Sequence, residues 1–341
     1  MDRAVEPAAT APLGLDDVRA AARRLHGVVC RTPLLSSAPL DARLGHELVF
    51  KPEGLQHTGA FKVRGAYNTL AWMAERGALP QQVISFSSGN HAQAVAWAAR
   101  RFGVRAVVYM PEGVAEVKRR ATEAWGAEVR LRPQRAQAEA EAQQAAAAPG
   151  CALLPPYDHP QVVCGQGTAT LEALEDGGVE ERGPDAVRPL YDAVFVPVGG
   201  GGLMSGTTLA AKSLDARTAV VGGEPAAADD AARTLESGTL FRWEQPPSTL
   251  ADGARTLSLS PLTWSILRTA DGIRRVDESD LLRWTRTLQE SLKVLVEPTS
   301  ALAAAAAEQW LAEQDGPRRV LLVLSGANLD ADTMRAIWAA R

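Results

Sequence analysis

Ser87-Ser88-Gly89-Asn90-His91 puts two hydroxyls, an amide and an imidazole on the turn between a short apolar stretch, Val83 to Phe86, and an amphipathic one, Ala92 to Arg101. A strand that turns into a helix leaves first-turn N–H groups without partners, and with the hydroxyls they form a clamp for an anion or a carbonyl. Upstream lies Thr58-Gly59-Ala60-Phe61-Lys62-Val63-Arg64-Gly65, in which Lys62 opens a helical pattern through Arg64, Tyr67 and Leu70. A lysine amine becomes nucleophilic when desolvation lowers its pKa. Further on, Val196-Pro197-Val198 runs through Gly199, Gly200, Gly201 and Gly202 into a helical pattern beginning at Leu203. Only glycine lets successive N–H groups come close enough to cup a phosphate, and a helix start adds a favourable dipole. No Gly-Lys-Ser/Thr follows, so the run is not a P-loop, and it lacks the spacing of a dinucleotide site. Glu224 and Asp230 flank Ala228, two carboxylates and a carbonyl of the kind that hold Mg2+ or Ca2+, though acids also collect at helix starts for the dipole alone.

These residues need a frame. Apolar runs at Glu47 to Lys51, Val83 to Phe86, Ala106 to Met110, Glu128 to Leu131, Ala152 to Leu154, Ala193 to Val198, Ala219 to Gly222 and Val320 to Leu324 alternate with helical patterns such as Val117 to Trp125 and Gly202 to Lys212. That alternation predicts an α/β fold with open, mostly parallel sheets, and by itself suggests two doubly wound domains split near the middle. Gln134 to Ala148, rich in Ala, Gln and Glu between Pro133 and Pro149, predicts a surface helix. Glu175 to Asp185 reads as an exposed connection.

With 341 residues, the chain is long enough for about two domains. A net charge of -4 gives no electrostatic footprint for nucleic acid, and no apolar run reaches the length of a membrane span. Met1 to Leu13 lacks a run resembling a signal peptide. Cys30, Cys151 and Cys164 show no CxxC spacing, which fits a reducing compartment. The expectation is a cytoplasmic homodimer acting on a small molecule, with no membrane or nucleic-acid partner.

Taken in order, these segments and Ser325-Gly326-Ala327-Asn328 resemble the pyridoxal phosphate (PLP) enzymes of the serine/threonine dehydratase family, fold type II, also called the tryptophan synthase beta family. The resemblance spans about Arg31 to Asp330. It implies a large domain, 1–71 plus 159–341, a small substrate-clamping domain, 72–158, and the cofactor in the cleft between them. It implies that Lys62 binds PLP, that Phe61 flanks the ring, that Gly199 to Gly202 and Leu203 hold the phosphate, that Asn90 meets the phenolic oxygen, and that Ser325 meets the pyridine nitrogen. A neutral partner there leaves the nitrogen largely unprotonated, which favours loss of a β-leaving group over transamination. Gly253 would lie against the cofactor and Glu297 would support it from beneath. Ser87, Ser88, Gly89, Asn90, His91 and Thr256 would bind substrate, with Ser88 close to its Cα. Similarity to the serine racemase and 3-hydroxyaspartate dehydratase subgroup implies Mg2+ or Ca2+ on Glu224, Asp230 and the Ala228 carbonyl. One departure stands out: Ala60 lies where many members carry Ser.

The activity implied is an ammonia-lyase (dehydratase) eliminating water from threonine or serine to give a 2-oxo acid and ammonium, with Lys62 removing the Cα proton and Ser88 assisting departure of the hydroxide. The alternatives are 3-hydroxyaspartate dehydratase and serine racemase. A second substrate carboxylate would need a basic partner, for which His57, Arg64 and Arg255 are the candidates.

Overall fold

The computed structural model describes residues 12–87, 89–114, 116–179 and 186–339, which leaves Ser88 and the later part of the acidic connection outside the described residues. In chain order the elements are α1 (Leu15–Leu25), β1 (Leu35–Ser36), α2 (Ala38–Leu44), β2 (Glu47–Pro52), α3 (Lys62–Glu75), β3 (Gln82–Phe86), α4 (Asn90–Phe102), β4 (Arg105–Pro111), α5 (Glu116–Ala124), β5 (Glu128–Arg132), α6 (Arg135–Ala146), β6 (Cys151–Leu153) and α7 (Pro160–Asp176). Then come β7 (Ala193–Pro197), α8 (Gly202–Leu214), β8 (Ala219–Pro225), α9 (Asp230–Ser237), α10 (Pro261–Leu267), β9 (Gly272–Val276), α11 (Glu278–Leu292), α12 (Pro298–Leu311), β10 (Arg319–Leu324) and α13 (Ala331–Ala339).

Two sheets result. One has the order β1-β2-β10-β7-β8-β9 and the other β5-β4-β3-β6. Apart from the antiparallel β1–β2 pair, all pairings are parallel. The larger sheet takes strands from both sides of the segment that builds the smaller one, so the strands do not divide near the middle of the chain as alternation alone suggested. Strands covered on both faces need apolar residues at every position. In β7, Ala193 and Phe195 join the core under α11 and α12, while Val194 and Val196 join the core under α7 and α8. The smaller sheet is likewise covered by α4 on one face and by Ala138 and Ala142 of α6 on the other. The helix expected over Gln134 to Ala148 forms as α6, Arg135–Ala146, with one small-residue stripe buried. Sequence reading missed β1, which has two residues, and β9, an edge strand carrying Arg274 and Arg275. Charge on an edge discourages further pairing and hides the strand from a search for apolar runs.

The topology gathers the chemistry. Ser87 follows β3, Val198 and Gly199 follow β7, Ser325 follows β10, and a short turn after β2 leads to Lys62. Ligands of open parallel sheets sit outside these carboxyl ends.

Candidate active site

Lys62 is the first residue of α3, and the loop before it is stitched to the exit of β10. The Phe61 N–H donates to the Ser325 carbonyl at 3.0 Å, the Ala327 N–H donates to the Gly59 carbonyl at 2.9 Å, and Ala60 bridges Gly326. The Lys62 Nζ donates to the Pro156 carbonyl at 2.8 Å. Burial pulls the amine down to about 8, opposed by the negative charge of Glu297. At pH 7 that leaves roughly a tenth of the amine neutral and nucleophilic.

One half-turn along α3, Arg64 is wholly buried between two carboxylates. Its Nε and Nη2 donate to Glu53 at 2.7 and 2.8 Å, its Nη1 and Nη2 donate to Glu172 at 2.7 and 2.8 Å, and Lys51 donates to Glu172 at 2.9 Å. Two cations and two anions thus lock the start of α3 to β2 and α7, and the flanking Arg64 and Lys51 charges outweigh burial to hold the Glu172 carboxyl below its usual range. The arrangement rules out Arg64 as a partner for substrate. His57 is also committed, with Nε2 at 3.0 Å from the Val28 carbonyl and its ring stacked on Trp97. Arg64→Ala is expected to lower unfolding free energy by about 3–5 kcal/mol, because it strands buried carboxylates. The midpoint of urea denaturation measures this.

The glycine run lies beside the same loop. A Cβ on Gly200 would sit 2.1 Å from the Tyr157 ring and one on Gly199 would sit 2.7 Å from the Gly253 carbonyl, so neither position tolerates a side chain. Gly201 adopts φ +83, a left-handed conformation that suits glycine. Ser205 closes the first helical bond onto Gly201 at 2.8 Å, and the N–H groups of Gly202, Leu203 and Met204 have no intrahelical acceptor. Pro156 and Tyr157 therefore connect the lysine amine to the glycine turn.

On the opposite side, Asn90 Nδ2 donates to both oxygens of Glu297, at 2.9 and 3.2 Å, and its Oδ1 accepts from Asn328 Nδ2 at 2.8 Å. The Asn328 N–H also donates to Glu297, at 3.0 Å. Burial and the nearby Asp252 charge nevertheless push the Glu297 carboxyl up to about 8. Ser325 Oγ lies 3.1 Å from Ser300 Oγ, and the Gly253 N–H donates to Thr299 Oγ1. Among the described residues the buried Thr256 hydroxyl has no hydrogen-bond partner. Ser87 Oγ accepts from the Gly89 N–H at 3.3 Å, and the His91 side chain is committed to the Leu154 carbonyl at 2.9 Å. Ser88 lies outside the described residues.

The acidic pair stands apart, at the end of β8. Glu224 is fully buried and accepts from the Ala231 and Ala232 N–H groups at 3.0 and 2.9 Å, while both oxygens of the buried Asp230 lack a partner among the described residues. Burial pushes the Asp230 carboxyl up to about 7, and burial with the Asp230 charge raises Glu224 well above its ordinary value. Among the described residues no three His, Cys, Asp or Glu side chains cluster as metal ligands. A cation here would need the Ala228 carbonyl and water as well.

Several contacts near the site escaped sequence reading. Lys118 of α5 pairs with Asp252, Asn328 joins the Glu297 network, and Arg135 of α6 donates to the Arg255 carbonyl at 2.7 Å. Arg242 reaches Ser258 Oγ at 3.3 Å, and Arg255 Nε donates to the Pro247 carbonyl at 3.1 Å. Among the described residues none of these three arginines is paired with a carboxylate. No local signal marks the contacts, since each is with a distant segment or with backbone.

Comparison with known proteins adds the context of the whole chain. A family model described as pyridoxal-phosphate dependent enzyme matches residues 25–326. The chain is 41% identical over 317 residues to an L-threo-3-hydroxyaspartate ammonia-lyase of Saccharomyces cerevisiae, covering 92% of this chain and 93% of that protein. It is 37% identical to a serine racemase of Schizosaccharomyces pombe, covering 93% and 94%. The crystal structure of a T.th. threonine deaminase superposes with a TM-score of 0.85 at 45% identity, covering 93% of this chain and 99% of that one.

Proposed function

Because the chain belongs to the pyridoxal-phosphate dependent enzymes of fold type II, we propose that it is an ammonia-lyase that eliminates water from a small β-hydroxy amino acid. The residues suit the cofactor. A desolvated amine at Lys62 matches its aldehyde, the glycine-lined start of α8 offers open N–H groups to its phosphate, and Ser325 presents a neutral hydroxyl. When bound, PLP supplies the electron sink for the pair left on Cα. Lys62 takes the Cα proton on Nζ, for which the neutral fraction of its amine suffices. Ser87, the start of α4 at Asn90 and the Thr256 hydroxyl orient the substrate carboxylate. The Asn90–Glu297–Asn328 network would hold the cofactor ring.

Within that class, the reading favoured is a substrate with a second carboxylate, 3-hydroxyaspartate. The observation that carries it is that two guanidinium groups reach the segment around Thr256, Arg135 at the Arg255 carbonyl and Arg242 at Ser258 Oγ, neither paired with a carboxylate among the described residues, while the Arg255 side chain turns to the Pro247 carbonyl. The activity named for the 41%-identical yeast relative agrees. Threonine or serine is the second reading, favoured by the threonine deaminase structure at 45% identity. Incubating purified protein with L-threonine, L-serine, D-serine and the 3-hydroxyaspartate stereoisomers, while following 2-oxo acid and enantiomer composition, tests both. Oxaloacetate from a 3-hydroxyaspartate isomer is the expected dominant product. Turnover of threonine or serine alone would reverse the order, and inversion without 2-oxo acid would make the protein a racemase.

Glu224, Asp230 and the Ala228 carbonyl fit Mg2+ or Ca2+, because a buried carboxylate with both oxygens orphaned is costly until a cation joins it. The ion's part is structural. Millimolar Mg2+ or Ca2+ is expected to raise the thermal midpoint of chelator-treated protein, and Glu224→Ala is expected to abolish that response. A wild type indifferent to chelator and metal returns the acids to their place at a helix start.

A further inference from the structure

Between β6 and α7 the chain runs Leu154-Pro155-Pro156, and the two prolines carry no N–H. Besides the packing of the buried Leu154, the backbone of this segment can be held only through its carbonyls and the single N–H of Leu154. That N–H donates to the Ile84 carbonyl at 2.9 Å. The Leu154 carbonyl accepts twice, from Ser85 Oγ at 2.9 Å and from His91 Nε2 at 2.9 Å. Two residues on, the Pro156 carbonyl accepts from Lys62 Nζ at 2.8 Å. A stiff three-residue rail thus carries the imidazole at one end and the reactive amine at the other.

We propose that His91 is a positioning residue for Lys62: by holding the Leu154 carbonyl it fixes the diproline rail whose Pro156 carbonyl receives the lysine amine whenever that amine is free. The inference rests on the reading of Lys62 as the cofactor lysine. His91 is 2% exposed, its Nδ1 has no partner among the described residues, and donation to a carbonyl fixes the proton on Nε2. Burial and the Lys62 charge push its pKa down to about 3, so it stays neutral and adds no second cation beside the amine. An amine that gives one N–H to a fixed carbonyl keeps its lone pair in one direction, which proton transfer requires.

The test combines a cofactor-capture readout with turnover. Protein stripped of pyridoxal phosphate is mixed with it across pH, and the rate of absorbance change reports the neutral fraction of Lys62. The titratable groups facing that amine are Glu297 and His91. Donation to Pro156 favours the ammonium, so a loosened rail lowers the amine pKa. His91→Leu, which fills the space without the donor, is expected to move the limb from near 8 to lower pH by about half a unit or more. It should also cut kcat about tenfold with KM little changed. His91→Gln, whose amide reaches the same carbonyl, should keep the limb of the wild type. Should His91→Leu fail to fold, Ser85→Ala loosens the same carbonyl and should shift the limb in the same direction. An unmoved limb in the foldable variants, or an equal shift in His91→Gln and His91→Leu, overturns the proposal. Capture with an unaltered limb by Lys62→Ala would instead sink the assignment of the lysine itself.

Discussion

Lys62→Ala is expected to reduce turnover by about a thousandfold or more and to abolish covalent retention of the cofactor, while leaving the fold intact. Borohydride treatment of the wild type should bleach visible absorbance and leave a pyridoxyl label on the peptide containing Lys62. In the variant the label should vanish and not move to a neighbour. The fold should survive because the Nζ contributes one hydrogen bond to a carbonyl, whereas Arg64, two residues on, carries the buried ion pairs that fix α3. Removing a long, desolvated cation also relieves its burial cost, so a small gain in thermal midpoint is compatible with complete loss of chemistry. A label on Lys51, the buried lysine bound to Glu172 and the Thr32 carbonyl, would show that the amine was wrongly assigned.

The strands were legible because parallel strands covered on both faces must be apolar throughout, as in Ala193–Pro197 and Arg319–Leu324. The edge strand Gly272–Val276 was not, since arginines occupy its centre and its residues are mostly half-buried. At the site, the sequence carries only local signals: a lysine behind Phe61, a glycine run before a helix, and a hydroxyl after a strand. What could not be read depends on pairs far apart in sequence. Lys62 meets the Pro156 carbonyl across 94 residues, Arg135 meets Arg255 across 120, and Lys118 meets Asp252 across 134. Two of these partners are backbone carbonyls, which every residue possesses, so composition carries no trace of them. Burial misleads in the same way. Arg64 reads as a free cation suited to a substrate carboxylate, and only the arrival of Glu53 and Glu172 from other segments turns it into an internal strut. Glu224 and Asp230 are plain as acids, yet that Asp230 is buried with no partner is visible only once β8 and α9 are in place.

The helix that carries Lys62, α3, crosses α7 at glycines, and this sets the second large effect. A Cβ on Gly165 of α7 would lie 2.7 Å from both the Arg64 carbonyl oxygen and Gly65 Cα, which are backbone atoms of the first turn of α3. Backbone cannot rotate aside as a side chain can, so Gly165→Ala must push α3 from α7 by several tenths of an ångström. That separation stretches the Arg64–Glu172 pair, which spans the same two helices, and draws Lys62 from the Pro156 carbonyl just ahead of α7. Overpacking typically costs about 1–3 kcal/mol, and weakening a buried ion pair adds to it. The expected result is a loss of about 3 kcal/mol or more in urea denaturation together with weaker cofactor retention. Gly113→Ala, where an added Cβ meets nothing within 4 Å, should change neither. Each measurement separates a different claim. A stable Gly165→Ala protein that retains cofactor would mean the crossing has slack. An unstable one that still retains cofactor tightly would mean that the geometry of Lys62 does not depend on how α3 sits against α7.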